Sequence, residues 1–213
     1  MAILSLNKLL KSELKVLDEQ LKTRSRTEVE MINIMSDHII SSGGKRLRPI
    51  TLLLSAYSVN NQLENTIIDS SVVVEFIHAA TLLHVDVVDM SHIRHNIDTA
   101  HTIWGNKGAV LVGDFLYSRA FEIIVEINSP LVYETLAHTT NIIAQGEVMQ
   151  LMNIGNIDIS ENLYMDIIFR KTSILFQASM KIGAILNKGT DEEIQSLAKF
   201  GLHFGNAYQM RND

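Results

Sequence analysis

The stretch that decides the fold is FIHAATLLHVDVVDMSHIR, residues 76–94, in which an apolar segment leads directly into two carboxylates. The apolar run begins near Asp69 or Ser70, either of which can cap a helix, and it continues to about Met90. Its length and composition predict a buried helix rather than a strand. Asp86 and Asp89 are three residues apart, so a helix presents both carboxylates on one face.

The rest of the chain has helical patterns too. Leucines recur at helical spacing through residues 4–21, and Gly43-Gly44, Gly155 and Gly189 mark breaks. No convincing strand pattern occurs, and residues 91–102 are expected to be loosely structured. Further helices are predicted over Thr27–Ile40, Arg48–Tyr57, Asn106–Ile127, Ser129–Met152, Ser160–Leu186 and from Thr190 to the end. The sequence thus predicts an all-α helical bundle, with residues 1–213 as a single domain.

The composition excludes several classes of protein. Hydrophobic residues make up 46% and charged residues 20% of the 213 residues, which is ordinary for a globular domain and argues against disorder. The net charge of −6 gives no basic face for nucleic acid. There is no cysteine, so disulfides and thiolate metal sites are excluded. The apolar runs are too short for a membrane span, and the N-terminal residues lack a signal-peptide pattern, so we expect a soluble, cytoplasmic protein.

Two charged clusters suggest chemistry. In GGKRLRP, residues 43–49, Lys45, Arg46 and Arg48 flank a glycine turn at a helix start, an arrangement suited to a diphosphate; the alternative is a solvated basic loop. Asp86 and Asp89 could hold Mg²⁺ through oxygen ligands, with substrate phosphates completing the coordination, or could simply form a polar helix end. Nearby histidines leave zinc open as another reading.

Together these segments resemble a trans-type polyprenyl diphosphate synthase. The resemblance rests on ordered motifs that cover nearly the whole chain: GGKRLRP, residues 76–94, GNKGAVLVGDFLYSRAF (105–121), GEVMQLMN (146–153), KTSILF (171–176) and GNAYQMRND (205–213). Bacterial octaprenyl diphosphate synthases are the nearest relatives expected. The resemblance implies an isoprenoid synthase-type helical bundle and Mg²⁺-assisted condensation of isopentenyl diphosphate with an allylic diphosphate. It also implies a homodimer, or a heteromer with another synthase subunit.

The resemblance also assigns residues by position. It implies that Lys45, Arg48 and His78 bind isopentenyl diphosphate and that Arg94 binds the allylic diphosphate. Further substrate contacts fall on Gln150, Lys171, Thr172 and Gln209, with Lys171 also catalytic. Asp86, Asp89 and Asp213 are implied as metal ligands, and Asp86 and Asp89 as catalytic. Ala80 is small and lies one helical turn before the motif, which implies an open tunnel and a long-chain product for quinone side chains.

The departures from the family pattern concentrate on the metal side. Val85 stands where the family has the first aspartate of its motif, and valine cannot ligate a metal. The second motif, roughly FQLIDDLLDY in the family, reads YQMRND here, and the chain then stops. We therefore expect a C-terminally truncated family domain, lacking the usual C-terminal helices, with an impaired metal site. The alternatives are a non-catalytic partner subunit, a degraded fragment, or an active enzyme recorded incompletely.

Overall fold

In a computed structural model the protein is almost entirely helical, and the structure describes residues 8–42 and 44–212. The predicted all-α class is therefore confirmed. The elements are α1 (Lys11–Arg24), α2 (Glu30–Ser41), α3 (Leu47–Val59), α4 (Asn65–Val88), β1 (Ile93–Arg94), β2 (Ile97–Asp98), α5 (Ala100–Ile127), α6 (Pro130–Met152), α7 (Glu161–Ile168), a π-helical turn (Phe169–Ser173), α8 (Ile174–Leu186) and α9 (Asp191–Asn212). Leu4 and Leu6, Gly43 of the basic cluster and Asp213 lie outside the described residues.

The chain forms two compact units. The first comprises Met1–Leu47 and Ile68–Ile127, and the second comprises Arg48–Ile67 and Asn128–Asp213. In the first unit, α4 is buried along most of its length, which explains why its sequence is apolar all round rather than amphipathic. Its fully buried apolar side chains in this unit are Val72, Val73, Val74, Phe76, Ile77, Ala80 and Leu83. By length and composition alone α4 could also cross a membrane, and it is the one such helix among the described residues.

A short hairpin follows α4, where the sequence predicted no strand. In it Ile93 pairs with Asp98 and Arg94 with Ile97. The turn residues His95 and Asn96 have φ angles of 50° and 66°. Two positive φ values in succession are typical of a tight hairpin turn, and asparagine tolerates this region well. Two-residue strands are too short to show an alternating pattern, so the prediction of a loose segment was wrong.

The hairpin is also anchored by a buried residue. Thr99 is only 3% exposed, and its hydroxyl donates to the backbone oxygen of Ser91 at 2.7 Å. The backbone N–H of Thr99 donates to the oxygen of His92 at 3.0 Å. These bonds tie the two ends of the hairpin together, so the segment after α4 has a defined geometry.

In the second unit α9 packs along α8, and α6 packs against α8 and the π-helical turn. Glycines allow the helices to come close: a Cβ at Gly201 would lie 2.6 Å from the backbone oxygen of Phe176. Asn187, just after α8, donates its side-chain N–H groups to the backbone oxygens of Ala56 and Asn60, both at 2.7 Å. These contacts join α3, α8 and α9 into one core.

Two helix boundaries refine the sequence predictions. The sequence placed a helix start near Asn106; the structure counts Ala100–Ile127 as one element, but Gly105 within it has φ 82° and ψ 160°. Regular helix therefore resumes after Gly105, as predicted. At the start of α9, the backbone N–H of Thr190 donates to the Glu193 carboxylate at 2.8 Å, and the N–H of Glu193 donates to the Thr190 hydroxyl at 3.3 Å. This reciprocal pair is a capping box.

Candidate functional site

The three cations of the predicted basic cluster have different surroundings. Arg46 is a structural residue: its guanidinium donates to the Glu75 carboxylate on α4 and to the backbone oxygen of Ile40. The side chains of Arg46 and Glu75 are 17% and 8% exposed. Lys45, the adjacent residue, is exposed to solvent. The buried pair therefore fixes the loop that presents Lys45.

Arg48 and His78 were also assigned to isopentenyl diphosphate. Arg48 belongs to the second unit, is half-buried, and its guanidinium carbon lies 4.7 Å from the centroid of the Phe176 ring. That distance is typical of a cation–π contact. His78 lies on α4 in the first unit and is half-buried. Their assignment to a substrate stays a prediction.

At the end of α4, Asp86 binds an arginine. Asp86 is 2% exposed, and Arg94 Nε donates to both of its carboxylate oxygens at 3.0 and 3.2 Å. Arg94 Nη2 donates to Oδ1 at 2.6 Å. Val85 beside it is buried, whereas Asp89 is exposed. The two carboxylates predicted to act together thus have separate environments.

The side chains present here do not fit a carboxylate-bound Mg²⁺ ion. A magnesium site needs several oxygens in octahedral geometry, including at least one or two carboxylates free to bind. Asp86 is engaged by Arg94, Val85 has no side-chain oxygen, and Asp89 is the carboxylate that remains in the motif. Within residues 8–42 and 44–212, no three His, Asp or Glu side chains form a group that could hold a metal ion. The implied ligand Asp213 lies outside these ranges.

Four other predicted residues come together in the second unit. Lys171 Nζ donates to Gln150 Oε1 at 2.8 Å and lies 3.3 Å from Glu147 Oε2. The Thr172 hydroxyl donates to Gln209 Oε1 at 2.9 Å. Gln150, Lys171, Thr172 and Gln209 all line one cavity of about 460 Å³. Weak, scattered signals in the sequence therefore converge on a single polar site.

The π-helical turn at Phe169–Ser173 presents Lys171 and Thr172, where the sequence predicted an unbroken helix from Ser160 to Leu186. Such turns are rare and are often found at functional sites. Glycines flank it: a Cβ at Gly146 on α6 would lie 2.6 Å from Arg170 Cβ, and one at Gly205 on α9 would lie 2.5 Å from Ser173 Cα. The turn is therefore held closely between two helices.

Comparison with known proteins identifies the family. The polyprenyl synthetase family model matches residues 29–213. The chain belongs to the polyprenyl synthetase family. It is 42% identical to an octaprenyl diphosphate synthase of Escherichia coli over 187 residues, which cover 88% of this chain and 58% of that protein. The expected similarity to bacterial octaprenyl diphosphate synthases is confirmed.

Solved structures agree with this assignment to the polyprenyl synthetase family. A polyprenyl synthase from Caulobacter crescentus, complexed with calcium and isoprenyl diphosphate, matches with a TM-score of 0.95 and 38% identity, covering 99% of this chain and 64% of that one. A decaprenyl diphosphate synthase from Rhodobacter capsulatus matches with a TM-score of 0.96 and 35% identity, covering 99% and 65%. The chain thus spans less than two thirds of the length of these relatives.

Some residues of the candidate site have no signal of their own in the sequence. Asn153 and Tyr164 line the 460 Å³ cavity, and Glu147 contacts Lys171 from one helical turn before Gln150. Asn153 ends α6 and Tyr164 lies on α7, and nothing in their spacing relates them to Lys171. Only the i, i+3 spacing of Glu147 and Gln150 could have indicated that they share a face.

Two carboxyl groups with shifted pKa values lie outside these clusters. Burial raises the pKa of Asp69 above its ordinary value of 3.8, although the Arg24 guanidinium lowers it in part. The hydrogen bond from the Thr190 backbone N–H, followed by that from its hydroxyl, lowers the pKa of Glu193 below its ordinary 4.5. Both are features of the fold and not of the candidate site.

Proposed function

We propose that this chain binds isopentenyl diphosphate and an allylic diphosphate at a polyprenyl diphosphate synthase-type site and turns them over poorly. The observation that carries the proposal is the cavity at the π-helical turn, where Gln150, Lys171, Thr172 and Gln209 meet. An ammonium, a hydroxyl and two amides around one cavity are suited to a diphosphate, because together they offer several N–H and O–H donors to its oxygens. Family membership and the calcium- and isoprenyl diphosphate-containing relative support it.

In the proposed reaction, the C1–O bond of the allylic diphosphate breaks and its electron pair leaves with the diphosphate. The double bond of isopentenyl diphosphate then attacks the allylic C1, and loss of a proton restores a double bond. The developing charge on the leaving diphosphate needs fixed donors. Lys171 has three N–H donors and uses two on Gln150 and Glu147, which leaves one for a diphosphate oxygen. Thr172 would donate its hydroxyl once Gln209 releases it.

The metal side sets the expected rate. The resemblance implies Mg²⁺, yet Val85 and the Asp86–Arg94 pair do not fit it. A bound metal normally contributes several kcal/mol of charge stabilisation in the transition state, and each ~1.4 kcal/mol is tenfold in rate. We therefore expect turnover at least ~100-fold below that of a typical family member.

Further properties belong to the same proposal. A long-chain product for quinone or other isoprenoid biosynthesis is proposed from the small size of Ala80 alone, since this side chain is fully buried. A single domain over residues 1–213 and a cytoplasmic location are proposed as well. Homodimer formation is supported by Leu111 and Val125 on α5, which are 67% and 70% exposed. Large apolar side chains at such exposure mark surfaces that associate.

A non-catalytic partner subunit is the second candidate, and a degraded fragment is the third. The partner-subunit reading is favoured by Val85 together with exposed apolar side chains, including Met152 at 80% and Ile157 at 93%. Co-expression with a complete synthase homologue separates the two. A stable complex with altered activity or product length supports the subunit, and poor solubility without any complex supports the fragment.

The proposal is tested by calorimetric titration of isopentenyl diphosphate into the wild type and Lys171→Gln, Lys45→Gln and Lys15→Gln variants. Lys15, which is exposed on α1, is the matched control for charge loss. We expect binding by the wild type and by Lys15→Gln, and binding weakened at least several-fold in Lys45→Gln. Lys171→Gln should instead weaken the binding of an allylic diphosphate, measured in a second titration. Absence of binding by a folded wild type would contradict the proposal.

A further inference from the structure

The misfit with magnesium leads to an inference about the first aspartate motif. Building on the proposed diphosphate site, we propose that this motif binds a diphosphate without a divalent cation, through Arg94 held in position by Asp86. In this arrangement Asp86 is a positioning residue and not a metal ligand, and the guanidinium takes the place of the bound ion.

The pair has the geometry that such a role needs. Asp86 receives Nε and Nη2 of Arg94 side by side, so the planar guanidinium is held at two points. A guanidinium has five N–H donors, and this contact uses two of them. Three donors remain for a ligand, in a fork that matches phosphate oxygens. The Arg94 side chain is 28% exposed while that of Asp86 is 3% exposed, so the accessible end of the pair is the cationic one.

The backbone on both sides of the pair is also fixed. Ser91 N–H donates to the backbone oxygen of Asp86 at 3.0 Å, directly after α4. Arg94 lies on β1, opposite Ile97, and the Thr99 hydroxyl binds the Ser91 oxygen. The guanidinium is therefore ordered before a ligand arrives. A preorganised donor binds more tightly because the cost of ordering it has already been met in folding.

Electrostatics give the reason why no cation is required. A motif with several free carboxylates repels a diphosphate, and a bridging cation is needed to remove that repulsion. Here Val85 is neutral and buried, Arg94 neutralises Asp86, and Asp89 is the one exposed carboxylate of residues 85–89. Apart from Asp89, residues 85–94 therefore have no net charge. The usual repulsion is therefore small.

Calorimetric titration with inorganic diphosphate tests the inference, once in EDTA and once in Mg²⁺. Other cations of the chain can also bind diphosphate, so the quantity of interest is the component that disappears in Arg94→Gln. We expect that component in EDTA, with a Kd within about threefold of its value in Mg²⁺. Arg26→Gln is the matched control, since Arg26 also donates to both carboxylate oxygens of a partner, Asp37, in the first unit.

Two further variants separate positioning from simple structural support. Asp86→Asn should weaken the Arg94-dependent component about tenfold, yet have no further effect on diphosphate binding in an Arg94→Gln background. Val85→Asp should weaken binding in EDTA and make it respond to Mg²⁺. Circular dichroism checks that each variant is folded. If Val85→Asp is not folded, the double-mutant cycle of Asp86→Asn and Arg94→Gln still tests the inference.

The outcomes are distinguishable. An Arg94-dependent component seen only in Mg²⁺ overturns the inference and leaves the proposed function standing. Additive losses in Asp86→Asn and Arg94→Gln overturn the positioning role of Asp86. No diphosphate binding under either condition overturns both the inference and the proposed function.

Discussion

Gly205 on α9 should be intolerant of alanine, because the π-helical turn lies directly against it. A Cβ at this position would be 2.5 Å from Ser173 Cα and 2.9 Å from Ser173 Cβ. The nearest atom is backbone, so relief requires a shift of α9 or of the turn and not merely a side-chain rotation. Thr172 precedes Ser173, and its hydrogen bond to Gln209 spans the same two elements.

The expected magnitude follows from two opposing terms. Overpacking of a well-packed core costs about 1–3 kcal/mol. Replacing a helical glycine by alanine recovers roughly 0.5–1 kcal/mol of backbone entropy. Because a backbone atom must move, we expect Gly205→Ala to lower the free energy of unfolding by about 1–2 kcal/mol.

Gly108→Ala on α5 is the matched control. A Cβ added at Gly108 would lie 3.6 Å from Met35 Cε, which is an ordinary contact. Only the gain from backbone entropy is therefore expected, without a cost of overpacking. Gly108→Ala should therefore raise the free energy of unfolding by about 0.5–1 kcal/mol, and the two variants should differ by roughly 1.5–3 kcal/mol. Urea unfolding followed by circular dichroism measures both. Equal stability of the two variants would refute the close packing of α9 on the π-helical turn.

Three other changes test the fold. Glu75→Gln should cost about 3 kcal/mol in urea unfolding at pH 7, because it leaves the charge of Arg46 buried without its main partner; a loss under about 1 kcal/mol would argue against the pair. Glu193→Gln should lower the Tm at pH 7 and not at pH 2. Because the pKa of Glu193 is lowered in the folded state, its carboxylate stabilises the fold above pH 4.5, and this stabilisation is lost as the pH falls through the folded-state pKa. The raised pKa of Asp69 has the opposite sign: its stabilisation exists below 3.8 and is lost as pH rises through the raised value. Asp69→Asn should therefore be more stable relative to the wild type at pH 7 than at pH 3, and the reverse order in urea unfolding would contradict this.

The helices could be predicted from sequence because their signals are local. Ser129-Pro130 marked the start of α6, which begins at Pro130 and ends at the predicted Met152. The start of α4 was placed too late, at Asp69 or Ser70 instead of Asn65, because both residues are typical helix caps and here lie inside the helix. Caps and periodicity are properties of a few neighbouring residues, so they can be read along the chain.

The candidate site depended on contacts that sequence does not encode locally. Lys171 and Gln150 are 21 residues apart, and only the packing of α6 on the π-helical turn joins them. The π-helical turn itself has no glycine, proline or other marker within Phe169–Ser173. Likewise, Asp86 and Asp89 share a helical face in the sequence. Nothing there indicated that Arg94, on a two-residue strand, would bind only the first of them.

Incorporation of radiolabelled isopentenyl diphosphate in Mg²⁺ is the most direct test of the proposal that the chain binds its diphosphates but has an impaired metal motif. It is made on purified chain whose isopentenyl diphosphate binding has been measured by calorimetry, with the Escherichia coli octaprenyl diphosphate synthase in parallel. We expect incorporation per binding site at least ~100-fold below that of the complete synthase. Incorporation at a rate equal to that of the complete synthase would contradict the proposal.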